Sequence, residues 1–126
     1  MKTVINTNNA PAPIGPYNQA IAAGNFIFVS GQIPAHPVTG ELILDDIKAA
    51  AKLSLDNIKA ILNEAGADFS NVVKTSIFLT NMADFAQVNE VYGSYFTDQF
   101  PARETVQVAA LPKGVSVEIS VIAVKA

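Results

Sequence analysis

Arg103 is the only arginine in a chain of 126 residues, and the other basic residues are all lysines. A guanidinium group is planar and offers two parallel N–H donors to a carboxylate, whereas an ammonium acts as a point charge. Pro101 comes shortly before Arg103 and predicts an extended approach into a strand. The sequence therefore makes Arg103 a candidate for binding a small organic anion. The alternative is a structural salt bridge to the adjacent Glu104.

Glu118 is flanked by valines and isoleucines in a predicted strand near the end of the chain. Such surroundings are unfavourable for an unpartnered carboxylate, and partial burial would raise its pKa. A carboxylate of this kind can position or deprotonate a water molecule. The residues alone equally allow an acid exposed on a solvated strand face, beside Ser116 and Ser120.

Other positions could line a site, and each also has a purely structural interpretation. Gly31 would let a ligand approach the backbone, but Ser30 and Gly31 could equally form a bulge in which the serine bonds local backbone. Tyr17 could donate from its phenol or be a half-buried aromatic residue. Asn89 could bond across a subunit boundary or only to water, and Phe85 could form a cleft wall or helix core.

The composition excludes several kinds of chemistry. The chain has no cysteine, and His36 is its only histidine, which we expect on a loop surface. Without a GxGxxG, P-loop or HExxH motif, we expect neither a metal nor an organic cofactor. The net charge of −3, with scattered basic residues, argues against a nucleic-acid partner. No apolar run approaches the length of a membrane span or signal peptide, so we expect a cytoplasmic protein without a membrane partner.

The hydrophobic pattern predicts the helices that would support these residues. Apolar residues recur every three or four positions between Ile47 and Leu62, which predicts a helix over about Asp45–Ala65. Asp45 or Asp46 would cap its start, and Gly66 lies where a helix ends.

A second helix is predicted over about Met82–Phe96, with Asn81 as its cap and Asp84 completing a capping box. The β-branched and alternating segments predict strands at Lys2–Ile5, Tyr17–Ala22, Phe26–Gln32, Val72–Thr80, Glu104–Ala110 and Val115–Val124.

About six strands and two helices in this order predict an α+β fold, in one domain spanning residues 1–126. We expect a mixed sheet with both helices on one face. The last strand is apolar along one side, but Ile122 and Val124, with Phe28 or Ile27, remain to be covered on the other face. The low fraction of charged residues and this apolar second face predict an oligomer.

Five separated segments resemble the RidA/YjgF family. They are Ile14–Tyr17 (IGPY), Phe28–Pro34 (FVSGQIP), Asp84-Phe85 with Val88-Asn89, Phe100–Arg103 (FPAR) and Val117–Ile119 (VEI). Their order and spacing extend over nearly the whole chain, from near residue 2 to residue 125. A match of this kind is far more specific than a single short motif.

The resemblance implies a chorismate-mutase-like fold, assembled as a homotrimer with a barrel-like core and ligand clefts between adjacent subunits. Family members with the arginine hydrolyse reactive enamines and imines, such as 2-aminoacrylate released by pyridoxal-phosphate-dependent dehydratases, to 2-oxo acids and ammonia. The expected function is thus that of a cofactor-free 2-iminobutanoate/2-iminopropanoate deaminase, a hydrolase acting on C=N bonds.

By the same resemblance, Arg103 binds the substrate carboxylate and Glu118 handles the attacking water, and these are the expected catalytic residues. The expected substrate-binding residues are Tyr17, Ser30, Gly31, Phe85, Asn89 and Thr105. Thr105 departs from the family pattern, because many members have a cysteine there. Any role that needs a thiolate is therefore absent, although a hydroxyl can still donate a hydrogen bond.

Two other classes of protein stay open. The same cleft could sense 2-oxo acids or amino acids as a binding or regulatory module without turnover. Holdase-like chaperoning and ribonuclease activity are also reported within the family. The acidic balance, the single histidine and the lack of a basic stripe argue against RNA cleavage.

Overall fold

Six strands form one sheet in the order β1-β2-β3-β6-β4-β5, in a computed structural model that describes all 126 residues. The strands are β1 (Lys2–Ile5), β2 (Ala20–Ala23), β3 (Phe26–Gln32), β4 (Val72–Leu79), β5 (Ala102–Gln107) and β6 (Val117–Val124). The helices are α1 (Ile47–Glu64) and α2 (Phe85–Gly93). Strands β4 and β5 are parallel and every other neighbouring pair is antiparallel, which confirms the predicted α+β class with a mixed sheet.

Helix α1 begins and ends at the residues that the sequence indicated. Asp46 Oδ1 accepts a hydrogen bond from the Ala49 N–H at 3.1 Å, so Asp46 is the cap. Gly66 takes a φ of +76°, and its N–H bonds the Asn63 carbonyl at 3.0 Å. The next N–H bonds the Leu62 carbonyl at 2.9 Å, which completes a Schellman ending.

The second helix is shorter than the prediction of Met82–Phe96. It starts with a 3₁₀ turn whose cap is Asn81, and the α-helix itself covers only Phe85–Gly93. The predicted capping box is wrong, because the side chain of Asp84 makes no capping hydrogen bond. Glycine at position 93 favours a helix end over a helix interior. The Ser94 hydroxyl donates to the Val91 carbonyl at 2.6 Å, a side-chain bond that competes with the backbone bonds of a further turn.

Four strand predictions also need correction at their ends. The strand predicted as Val72–Thr80 ends one residue earlier, at Leu79. The strand predicted to begin at Tyr17 begins only at Ala20. The N–H of Gln19, just before it, donates to the Asn6 side chain at 3.0 Å and not to a neighbouring strand. The strand predicted as Glu104–Ala110 is Ala102–Gln107, since its partner β4 ends at Leu79. The last strand begins at Val117 instead of Val115, after a 3₁₀ turn.

The two faces of the sheet have different surroundings. Val117, Ile119, Val121 and Ala123 of β6 are buried under the helices, as predicted. We call the opposite side the open face; among its residues are Phe26, Phe28, Phe78, Glu118, Ile122 and Val124. Phe26 is 48% exposed and Phe28 is 44% exposed, while Ile27 is only 3% exposed. Phe28, and not Ile27, is therefore left to be covered on the open face, together with Phe26. Neither helix combines the length and the hydrophobicity that a membrane-spanning helix needs.

Gln19 ties the N-terminal loop to the sheet and is only 1% exposed. Its Oε1 accepts from the Thr7 N–H at 2.6 Å, and its Nε2 lies 2.8 to 3.2 Å from the carbonyl oxygens of Thr7, Ala10 and Pro11. These groups have no other partner among the hydrogen bonds of this loop.

We expect Gln19→Ala to lower the free energy of unfolding by about 2–4 kcal/mol, because it leaves buried donors and acceptors unpaired. Chemical denaturation measures this loss. Gln107→Ala is the matched control, since the exposed Gln107 side chain accepts a single bond from the Met82 N–H. It should cost less than about 1 kcal/mol. Equal losses in the two variants would contradict the role assigned to Gln19.

Candidate active site

Arg103 lies in the edge strand β5, opposite Thr75 of β4 and on the helix side of the sheet. Its guanidinium carbon is 5.1 Å from the centre of the Tyr92 ring and 5.5 Å from that of Phe85. Asn89 Oδ1 accepts a hydrogen bond from its Nη1 at 2.6 Å. Positions 85, 89 and 92 are four and three residues apart, so one face of α2 supplies all three contacts.

The guanidinium has no carboxylate partner in the chain. Glu104, the alternative partner considered from the sequence, pairs with Lys74 at 2.9 Å and accepts from the Ser76 hydroxyl. These two bonds lower the pKa of Glu104. Asn89 is the only hydrogen-bond partner of the guanidinium, which leaves its other N–H donors available to an anion.

A cleft of about 350 Å³ opens beside this guanidinium. Its lining residues are Asn89, Tyr92, Gly93, Phe100, Pro101 and Arg103. Thr105 follows two residues along the same side of β5, and its Oγ1 is buried without a hydrogen-bond partner. A larger groove of about 900 Å³ lies between α1 and residues 94–99, but none of the predicted site residues lines it.

Gly31 and Glu118 meet on the open face. A Cβ at Gly31 would lie 2.8 Å from the carboxyl carbon and Oε2 of Glu118, so the glycine makes room for this carboxylate. Burial raises the pKa of Glu118, as predicted from its apolar neighbours. No hydrogen bond or ion pair within the chain compensates for this desolvation.

Ser30 and Gly31 form the bulge that the sequence left open. Val29 pairs with Val121 and Gln32 with Ile119, so the register shifts between them. The Ser30 hydroxyl donates to the Asn18 carbonyl at 2.7 Å, which fixes the loop that carries Tyr17. Tyr17 itself is half-exposed and lies outside any strand.

Within one chain, Arg103 and Glu118 do not come together. Arg103 is level with Thr75 of β4, whereas Glu118 is level with Phe78 on the other side of that strand. Their backbones are therefore about 10 Å apart along the strands and about 10 Å apart across them. The two side chains also point to opposite faces of the sheet. One chain cannot apply both groups to the same small molecule.

Tyr92 and Thr75 form a hydrogen-bonded pair close to Arg103, and this pair was not predicted from the sequence. The Tyr92 hydroxyl donates to Thr75 Oγ1 at 3.0 Å, and both residues are buried. Neither residue is among the site residues predicted from the sequence. The spacing of Tyr92, seven residues from Phe85 and three from Asn89, is the signal that could have identified it.

His36 lies on an exposed loop, as expected, and its Nδ1 accepts from the N–H groups of Val38 and Thr39. No group of three or more histidine, aspartate or glutamate side chains is arranged to hold a metal ion.

Comparison with known proteins defines the class to which this fold and site belong. Residues 7–125 match the family described as endoribonuclease L-PSP. A RutC family protein of Pyrococcus horikoshii is 54% identical over 99% of both chains. The 2-iminobutanoate/2-iminopropanoate deaminase of Escherichia coli is 50% identical, also over 99% of both chains.

Solved structures agree with these relatives. The crystal structure of E. coli TdcF with bound serine is 45% identical and superposes with a TM-score of 0.94, covering 98% of this chain and 99% of that one. The chain belongs to the RidA/YjgF family.

Proposed function

We propose that this protein is a 2-iminobutanoate/2-iminopropanoate deaminase, which hydrolyses reactive imines and enamines to 2-oxo acids and ammonia. The observation that carries the proposal is the guanidinium of the only arginine, which is held by Asn89 and two aromatic rings but has no carboxylate partner. An α-imino acid supplies the missing carboxylate. The names of full-length relatives at about 50% identity support the reaction.

In the proposed reaction, Arg103 binds the carboxylate and thereby fixes the adjacent imine carbon. An enamine such as 2-aminoacrylate first tautomerises to its imine. Glu118 then takes a proton from water as the oxygen bonds to that carbon, and the imine nitrogen takes up a proton from solvent. In the resulting amino alcohol, the protonated Glu118 gives its proton to the amino nitrogen and the hydroxyl gives its proton to solvent. The C=O bond forms as the C–N bond breaks, which releases ammonia and the 2-oxo acid and leaves Glu118 ionised. Holding the two reactants in place can lower the barrier by several kcal/mol.

The proposed site lies between two copies of the chain. Arg103, Asn89, Phe85 and Thr105 on the helix side of one copy would face Gly31 and Glu118 on the open face of the next, with Tyr17 and Ser30 beside them. Two findings support this arrangement: the opposite-face positions of Arg103 and Glu118, and the exposed Phe26 and Phe28 that a neighbour would cover. We propose a homotrimer with a barrel-like core, acting in the cytoplasm without nucleic-acid or membrane partners.

A dehydratase-coupled assay tests the function. A pyridoxal-phosphate-dependent threonine or serine dehydratase releases the imine, and semicarbazide traps whatever remains unhydrolysed. Adding the protein should speed release of the 2-oxo acid and lower the amount of trapped imine. If calorimetry shows tight 2-oxobutanoate binding but the assay shows no acceleration, the protein is a binding module and the proposed activity is wrong.

Gly31→Ala should lower deaminase activity by about 10- to 100-fold, because the new Cβ displaces the Glu118 carboxylate by a distance that catalysis does not tolerate. The melting temperature should change little, since the displaced atoms are the end of a flexible side chain. Gly31→Ala in a Glu118→Gln background is the control and should cause no further loss. A large additional loss there would show that Gly31 acts independently of Glu118.

A further inference from the structure

We propose that Tyr92 and Thr75 are positioning residues that fix the plane of the Arg103 guanidinium for two-pronged binding of a carboxylate. This inference rests on the proposed function of Arg103 as the carboxylate-binding group. The two residues come from different elements, since Tyr92 lies on α2 and Thr75 on β4 directly opposite Arg103. The guanidinium lies over the ring that the Thr75 hydroxyl anchors.

The hydroxyl groups of Tyr92 and Thr75 are not needed for core packing. A buried Phe and Val of the same shape would pack without the cost of desolvating two polar groups. The Tyr92–Thr75 bond, at 3.0 Å, instead fixes the position of the ring. Burial raises the pKa of Tyr92, so the phenol stays protonated and keeps its hydrogen to donate.

A fixed ring matters because a two-pronged contact depends on the orientation of the fork as well as on its charge. The arginine side chain is long and loses rotamer freedom when it is held in one geometry. Asn89 fixes one nitrogen, and the faces of Tyr92 and Phe85 restrict the plane. The guanidinium is thus oriented before a ligand arrives.

Nuclear magnetic resonance tests the geometry without any ligand. Because the chain has a single arginine, one Nε–H signal reports on Arg103. Ring currents of Tyr92 and Phe85 should shift this signal and the neighbouring Hδ signals upfield in the wild-type protein. Tyr92→Leu should reduce the shift and leave only the part that Phe85 causes, whereas Tyr95→Phe should not change it. Tyr95 is the matched control because its hydroxyl bonds Asp56 instead, at 2.6 Å. Ordinary arginine shifts in the wild type would overturn the proposal.

Calorimetry with 2-oxobutanoate tests the consequence and is independent of turnover. Tyr92→Leu should weaken binding about 10-fold, and Thr75→Val, which keeps the packing, about 2- to 5-fold. In an Arg103→Lys background, which has no fork to orient, Tyr92→Leu should have little further effect. The proposal is wrong if both variants bind like wild type, or if the loss persists unchanged beside Arg103→Lys. Failure of the dehydratase assay alone would reject the enzyme and leave these binding results to decide the role of Tyr92.

Discussion

Arg103→Ala should lower kcat/KM for imine hydrolysis by about 10²- to 10⁴-fold, since it removes two charge-assisted hydrogen bonds worth about 1.5–3 kcal/mol each. The melting temperature should stay close to that of the wild type, because the guanidinium forms no ion pair that folding depends on. The dehydratase-coupled assay measures the first effect and thermal denaturation the second.

Two further variants separate charge from geometry at this position. Arg103→Lys keeps the positive charge without the planar fork and should recover only a small part of the lost activity. Lys52→Ala removes a basic residue that pairs with Asp56 on the exposed side of α1, and it should leave activity unchanged. Arg103→Ala with activity within a few-fold of wild type would contradict the carboxylate-binding role.

Glu118→Gln should lower deaminase activity by about 10²- to 10⁴-fold, the usual contribution of a general base, and at the same time raise the melting temperature at pH 7. Burial raises the pKa of Glu118, so the folded state binds the proton more tightly than the unfolded state does. Stability therefore falls as the pH rises through the interval from the unfolded value of 4.5 to the raised folded value. Glutamine carries no charge and avoids this cost.

The pH dependence of the melting temperature is the control for the Glu118→Gln prediction. The difference in melting temperature between Glu118→Gln and wild type should disappear below the unfolded pKa, where Glu118 is protonated in both states. Glu104→Gln should behave in the opposite way, because hydrogen bonds from Ser76 and Lys74 lower the pKa of Glu104. It should reduce stability at neutral pH, and that loss should fade as the solution becomes acidic. If Glu118→Gln destabilises the protein at pH 7, the desolvation argument is wrong.

Local patterns were sufficient where local interactions decide the structure. The helix over Ile47–Glu64 follows from its apolar spacing, and Asp46 and Gly66 supply their own hydrogen bonds to its ends. The second helix was predicted too long because Tyr95 and Phe96 continue the apolar period after the regular hydrogen bonding has ended. Those rings pack on Phe69 although they lie beyond the helix. Apolar residues at helical spacing can therefore reflect burial outside a helix as well as the helix itself.

The arrangement of the site depends on strand order, which no short segment encodes. Arg103 and Glu118 could each be selected from the sequence, one for its rarity and the other for its apolar neighbours. That β4 lies between their strands, with the two side chains on opposite faces, follows only from the folded sheet. The same is true of Thr75. Nothing in the sequence distinguishes its hydroxyl from that of any other threonine in a strand, and only the folded structure shows its hydrogen bond with Tyr92.

Complementation between variants tests most directly whether one site combines groups from two copies of the chain. Arg103→Ala and Glu118→Gln are each inactive in this account, but a mixed assembly contains some interfaces with an intact Arg103 from one copy and an intact Glu118 from the next. Equal amounts, unfolded together and refolded, should recover about one quarter of the wild-type activity, because one interface in four is intact by chance. Native mass spectrometry with one tagged variant verifies that the assemblies are mixed. Mixed assemblies that stay as inactive as either variant alone would contradict the shared site.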